Sequence, residues 1–140
     1  MVDVKINKIK PLDKLLKESR NLVKELMDLH FENVEHDEER KILEMKFFLK
    51  TFEFIRKKWN VRILYELEIH SGMNFNEMMR HMEGISSRSL SDRLKQLENL
   101  NLITRTVQVG RPPKVLYELS EKGQGIIELI QFIILYLTGI

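Results

Sequence analysis

The 140-residue sequence has no cysteine, which excludes disulfides, thiol redox sensing, thiolate metal sites and a cysteine nucleophile. Glycine is sparse, six in all, and Gly110 stands alone rather than in a phosphate-binding loop. Neither charge dominates. With 23 Lys and Arg against 21 Asp and Glu, the formal charge is +2, so whole-protein basicity gives no argument for a nucleic-acid partner and only local distribution can. A bilayer-length apolar run is also missing, because Ile126 to Leu137 is interrupted by Glu128 and Gln131 and falls short of the roughly 20 residues a span needs. The opening MVDVKINKIK lacks the apolar core of a signal peptide, so a cytoplasmic location is expected. His30, His36, His70 and His81 are scattered, in no zincin spacing and beside no plausible nucleophile, so no enzymatic activity is expected. Glu35-His36-Asp37-Glu38 could chelate a metal but reads better as a solvated loop, and His70 as a complement to a helix C-terminus. No metal or other cofactor is expected.

What the sequence does contain is a globular composition, 43% hydrophobic and 31% charged, at a length that suits one domain. Apolar residues from Leu12 to Phe31 keep helical spacing through Leu15, Leu16, Leu22, Val23, Leu26, Met27 and Leu29. Residues 32–38 break the period. A second helix is expected from Glu39 to near Lys57, through Ile42, Met45, Phe48, Leu49, Phe52 and Ile55. These two helices carry more apolar surface than a small core needs, which points either to a partner or to packing within the domain. Asn60 is expected to cap a helix ending before Ser71-Gly72, and Asn76 a brief helix Glu77 to Met82. Met73-Asn74-Phe75 is too short for more than an edge strand.

The chain from Gly84 to Leu119 organises the rest. Leu90, Leu94 and Leu97 recur at i, i+4 and i+7 and form a buried stripe, while Arg88, Asp92, Lys95 and Asn99 fall opposite, flanked by Ser89, Ser91 and Gln96. Ser86 or Ser87 can cap this helix, and Asn101 can take the left-handed conformation that stops it. Leu102–Gln108 and Lys114–Leu119 then alternate as strands around a tip, Val109-Gly110-Arg111-Pro112-Pro113, stiffened by proline. Arg105, Arg111 and Lys114 meet no acid until Glu118. Taken alone this is a solvated surface hairpin. Beside a polar-faced helix that follows a short helix and a glycine turn, it reads as a winged helix-turn-helix.

The series Lys58-Trp59, Ile63-Leu64, Phe75-x-Glu77-Met78, Gly84-Ile85-Ser86, Leu90, Arg93-Leu94, Leu97-Glu98, Leu102-Ile103-x-Arg105 and Pro112-Pro113-x-Val115-x-Tyr117-x-Leu119-Ser120-Glu121-Lys122-Gly123 resembles the HxlR-type winged helix-turn-helix regulators, relatives of the MarR type. It spans roughly Lys58 to Gly123, about half the chain. The resemblance implies a homodimeric DNA-binding transcription regulator whose N- and C-terminal helices form the dimer interface. The expected fold class is thus mainly α with a small β-ribbon, divided as 1–57 (helical extension), 58–119 (DNA-binding unit) and 120–140 (C-terminal dimerisation helix). Three departures stand out. Arg56-Lys57 replace glycines before the lysine-tryptophan pair, so the preceding helix is expected to run into Trp59; Asn101 replaces a glycine; and most of residues 1–55 exceeds the family's usual lead-in.

In such a fold the helix enters the major groove and reads base edges near its N-terminus. The candidates are Ser87, Arg88, Ser89, Ser91, Asp92, Lys95 and Gln96, with Arg88 first because its fork matches the guanine O6 and N7 acceptors. Asp92 would repel phosphate and is expected to pair with Arg88 or Lys95, and Arg93 to bond Glu98 or a carbonyl. Arg111 is the expected minor-groove probe, with Arg105 and Lys114 on phosphates. The C-terminal helix, Glu121 to Leu137, is apolar nearly all round, which points to a two-fold partner. Two further readings stay open: a winged-helix protein-docking module without a specific DNA site, and a regulator whose Trp59, Phe48, Phe52 and Tyr136 line a pocket for a small apolar effector.

Overall fold

The computed structural model describes the backbone of residues 10–31, 35 and 37–138, and the side chains of these residues except 10–13, 15 and 16. Along the described chain run α1 (Lys10–His30), α2 (Glu38–Arg56), α3 (Asn60–His70), α4 (Phe75–His81), α5 (Ser87–Asn99), β1 (Ile103–Gln108), β2 (Lys114–Leu119) and α6 (Glu121–Thr138). The architecture is mainly α with one antiparallel ribbon, as expected. Contacts divide it into two compact units, Thr51–Ile130 and Met1–Lys50 with Gln131–Ile140, so the boundary falls inside α2 and α6.

The unit Thr51–Ile130 holds the core. Ile63, Leu64 and Leu67 of α3 and Leu90, Leu94 and Leu97 of α5 are buried together with Met73, Met78, Met82, Ile103 and Ile127. Each fully buried side chain of this size contributes about 1.5–3 kcal/mol relative to exposure. The expected stripe on α5 is therefore the face that anchors the helix. Helix α3 stops where Ser71 and Gly72 take positive φ of 52° and 113°, and Met73 then pairs with Tyr117 in one antiparallel bridge, giving the single edge-strand position expected there.

Three local expectations are corrected. Asn60 does not cap α3: it is the first helical residue, fully buried, and its Nδ2 donates to the Phe54 carbonyl at 3.2 Å. The cap of α4 is Asn74, not Asn76. Its Oδ1 accepts from Glu77 N at 2.8 Å while Asn74 N donates to Glu77 Oε2 at 3.1 Å, a reciprocal capping box, and the helix begins at Phe75. Helix α2 does not run into Trp59. It ends at Arg56, and a turn closed by Asn60 N donating to the Lys57 carbonyl separates it from α3.

In the other unit, Asp28 of α1 is bridged to α2 by Arg40, whose Nη2 lies 2.7 Å from Asp28 Oδ1 and whose Nε lies 3.0 Å from Glu44 Oε1. The Asp28 bond, aided by Glu44, holds Arg40 above the usual guanidinium range. Phe31 is buried beneath the same guanidinium and meets His30 and Phe47 edge to face. Asp37 Oδ1 accepts from Arg40 N and so begins α2, which is work for the acidic segment within a helix start. His36, and the side chains of Leu12, Leu15 and Leu16, lie outside the described residues.

Candidate nucleic-acid interface

Helix α5 is fixed at both ends and along one side, and the remaining face is open. At its start, Ser86 rather than Ser87 is the cap, its Oγ accepting from Ser89 N at 3.0 Å. Gly84, at φ 91°, turns the chain out of α4, and Ile85 is buried between the two helices. At its end Asn101 takes φ 59°, the left-handed stop expected of it, with Asn101 N donating to the Glu98 carbonyl and Leu102 N to that of Leu97. The Ser120–Gly123 motif then clamps this stop to α6. Ser120 Oγ donates to the Asn101 carbonyl at 2.5 Å and accepts from Gly123 N at 3.0 Å, while Lys122 Nζ reaches the Leu100 carbonyl at 3.2 Å.

Ser87, Arg88, Asp92, Lys95 and Gln96 are exposed, and Ser89 and Ser91 are half-buried at the edge of the same face. Arg88 makes no ion pair with any described acid. The pairing expected of Asp92 with Arg88 or Lys95 does not form: no cation of the described residues comes within ion-pair distance, and both basic side chains are exposed. Arg93 also departs from expectation, its Nη1 donating to Gln96 Oε1 at 2.9 Å rather than to Glu98 or a carbonyl.

In the ribbon, Ile103 pairs with Leu119 at the buried base and Gln108 with Lys114 at the far end, leaving 109–113 as the tip. Arg105, Arg111 and Lys114 are all exposed and free of ion pairs with described acids. Pro112 and Pro113 line an open groove with Asn74 and Phe75, which places the tip beside the start of α4. A short helix, a turn, a polar-faced helix and a cationic wing thus share one unit. Sequence reasoning missed one cluster in that unit. Glu66, His70 and His81 bring one ligand atom each within 4.8 Å of one another, and the only signal for it was the i, i+4 spacing of Glu66 and His70. Trp59 packs against the core, whereas Phe48, Phe52 and Tyr136 are exposed.

This arrangement defines a winged helix-turn-helix protein. The family model of the HxlR-like helix-turn-helix matches residues 54–138, and the chain belongs to that family. Over 83 residues it is 40% identical to the HTH-type transcriptional regulator YdzF of Bacillus subtilis, covering 59% of this chain and 76% of that protein. The solved reduced form of the transcriptional regulator YodB from B. subtilis superposes with a TM-score of 0.55 at 33% identity, covering 59% of this chain and 79% of YodB. A MarR-family regulator from Enterococcus faecalis shares the fold, with a TM-score of 0.59 at 24% identity over 74% of this chain and 89% of its own. The chain is a transcriptional regulator with a DNA-binding helix-turn-helix unit. A thiol-based response is closed to it, since it has no cysteine. Among the described residues no helix is long and apolar enough to cross a membrane.

Proposed function

We propose that the chain acts as a homodimer that binds a specific double-stranded operator, with α5 in the major groove and the ribbon tip in the minor groove. The observation that carries this reading is the set Arg88, Lys95, Arg105, Arg111 and Lys114, exposed and free of ion pairs with described acids, on a helix whose opposite face is buried in the core and a ribbon whose base, Ile103 and Leu119, packs into that core. Ser87, Ser89, Ser91 and Gln96 supply neutral hydrogen-bonding groups beside Arg88, and Asp92, with no cationic partner among the described residues, can accept from a cytosine amino group. Arg105 and Lys114 flank Arg111 as phosphate contacts.

Pairing follows from surface that the chain leaves in water. Leu22, Val23, Leu26 and Leu29 of α1, Ile42, Met45 and Leu49 of α2, and Leu129, Ile133, Ile134 and Leu137 of α6 are each more than 40% exposed. Exposed apolar side chains in this number mark an interaction site, and a second copy supplies a self-complementary cover. Two α5 helices would then address half-sites about 34 Å apart. Selecting bound duplexes from a random pool tests the reading. Recovery of a two-fold-related motif with half-sites one helical turn apart supports it, and binding without sequence preference or salt dependence overturns it in favour of a docking module.

A further inference from the structure

We propose that Glu66, His70 and His81 form a site for a divalent transition-metal ion of the Zn²⁺ kind, at the junction of α3 and α4. Glu66 and His70 stand one turn apart on α3, and His81 closes α4, so the three side chains meet where the two helices end together. Two imidazoles and a carboxylate are the donor set that zinc accepts with three protein ligands and a solvent molecule in the fourth position.

Geometry supports the assignment. At Zn–N and Zn–O lengths near 2.0–2.1 Å, the ligand atoms of a tetrahedral site lie about 3.3 Å apart. Glu66 Oε2 and His70 Nε2 already stand 3.3 Å apart, so that edge is built. The His81 ring lies 4.6 Å from the His70 ring, centroid to centroid, and all three donor atoms fall within 4.8 Å, so a side-chain rotation of the exposed His81 closes the remaining gap. The carboxylate is prepared for the task. Glu66 is only 7% exposed, and Arg62 Nε holds its other oxygen at 2.8 Å, which turns Oε2 toward the imidazoles. Arg62 Nη2 also reaches the His81 carbonyl at 3.3 Å, tying the same support to the second helix. Outer partners that orient metal ligands in this way are characteristic of built sites.

The ion would fasten the last turn of α3 to the last turn of α4. Met82, Gly84 and Ile85, which follow His81 directly, set the direction in which α5 leaves, so the site sits at the base of the DNA-reading helix. The proposal does not rest on the dimer or the operator reading, because binding of the ion is measured without DNA.

The test is calorimetric titration of the full, chelator-treated chain with zinc chloride, followed by cobalt(II) titration monitored by visible absorption. One ion per chain is expected, with the cobalt form showing the intense absorption of a four-coordinate site. His70→Ala and His81→Ala are each expected to weaken binding at least tenfold while leaving the circular dichroism unchanged, since both side chains are exposed. His30→Ala, in the other unit, leaves the affinity as it was. No uptake at millimolar zinc, or uptake undiminished in both His70→Ala and His81→Ala, overturns the site.

Discussion

A side chain at Gly123 has nowhere to go. A Cβ there would lie inside contact distance of the Leu102 carbonyl oxygen, and 3.2 Å from Leu119 Cδ2. The oxygen belongs to the backbone of the turn that stops α5, so relief must come from moving a main chain rather than a flexible side chain. Gly123→Ala is expected to cost about 1–3 kcal/mol, as overpacking in a filled site does, read as a lower denaturant midpoint at unchanged slope. Arg88 is the opposite kind of residue, one that folding leaves alone. On the proposed reading Arg88→Ala leaves stability within about 0.5 kcal/mol and lowers discrimination at one base pair by about 1–3 kcal/mol, which a competition titration against single-base operator variants measures. The two residues also differ in how they could be recognised. Arg88 follows from helical projection alone. The need for glycine at 123 is set by a strand and a turn that come together only in the fold, so the chain offered it only through a family resemblance.

Helix α4 shows why some element boundaries escape sequence reasoning. Both Asn74 and Asn76 are residue types that cap helices, and both stand shortly before the apolar pair Met78-Met79. The choice is made by Met73, whose bridge to distant Tyr117 fixes the extended chain immediately before Asn74 and leaves that residue at the helix entrance. Asn74→Ala removes the acceptor for Glu77 N and the Nδ2 donor to Glu77 Oε1, so a loss of about 1 kcal/mol is expected, whereas Asn76→Ala, at an exposed position inside the helix, is expected to be near neutral by the same unfolding measurement. The role of Asn60 is hidden from sequence for a related reason. Its side chain is withdrawn into the core to hold the Phe54 carbonyl, a tertiary bond without local signature. The ribbon and α5, by contrast, were legible nearly to the residue, because alternation, a proline tip and a strict leucine stripe are local patterns. The wing carries its own test. Arg111→Ala is expected to weaken DNA binding for all sequences alike and to reduce the salt slope by about one unit. An unchanged slope would remove Arg111 from the interface.

Assembly is where the chain's composition makes its largest demand. Helix α6 buries Gly123 and Ile127 in the DNA-reading unit, yet beyond Gln131 its Ile133, Ile134, Leu135 and Leu137 remain at least 40% exposed. That apolar character was plain from the sequence. What covers it was not, because periodicity reports that a face must be buried and says nothing of the chain that buries it. On the proposed reading a second copy does so, and Ile133→Glu places a carboxylate on the shared surface, where an unpaired buried charge is strongly disfavoured. The variant is expected to sediment as a monomer at concentrations where the parent chain is a dimer, with the helix-turn-helix unit still folded because Ile133 lies outside it. Its affinity for an isolated half-site should then stay near that of the parent, while its affinity for the full operator falls by two or more orders of magnitude, since tethering two binding units raises avidity by about 10²–10⁴. Comparing the two duplexes separates loss of pairing from damage to α5. A parent chain that sediments as a monomer at micromolar concentration would sever the link between the apolar helices and the spacing of the half-sites.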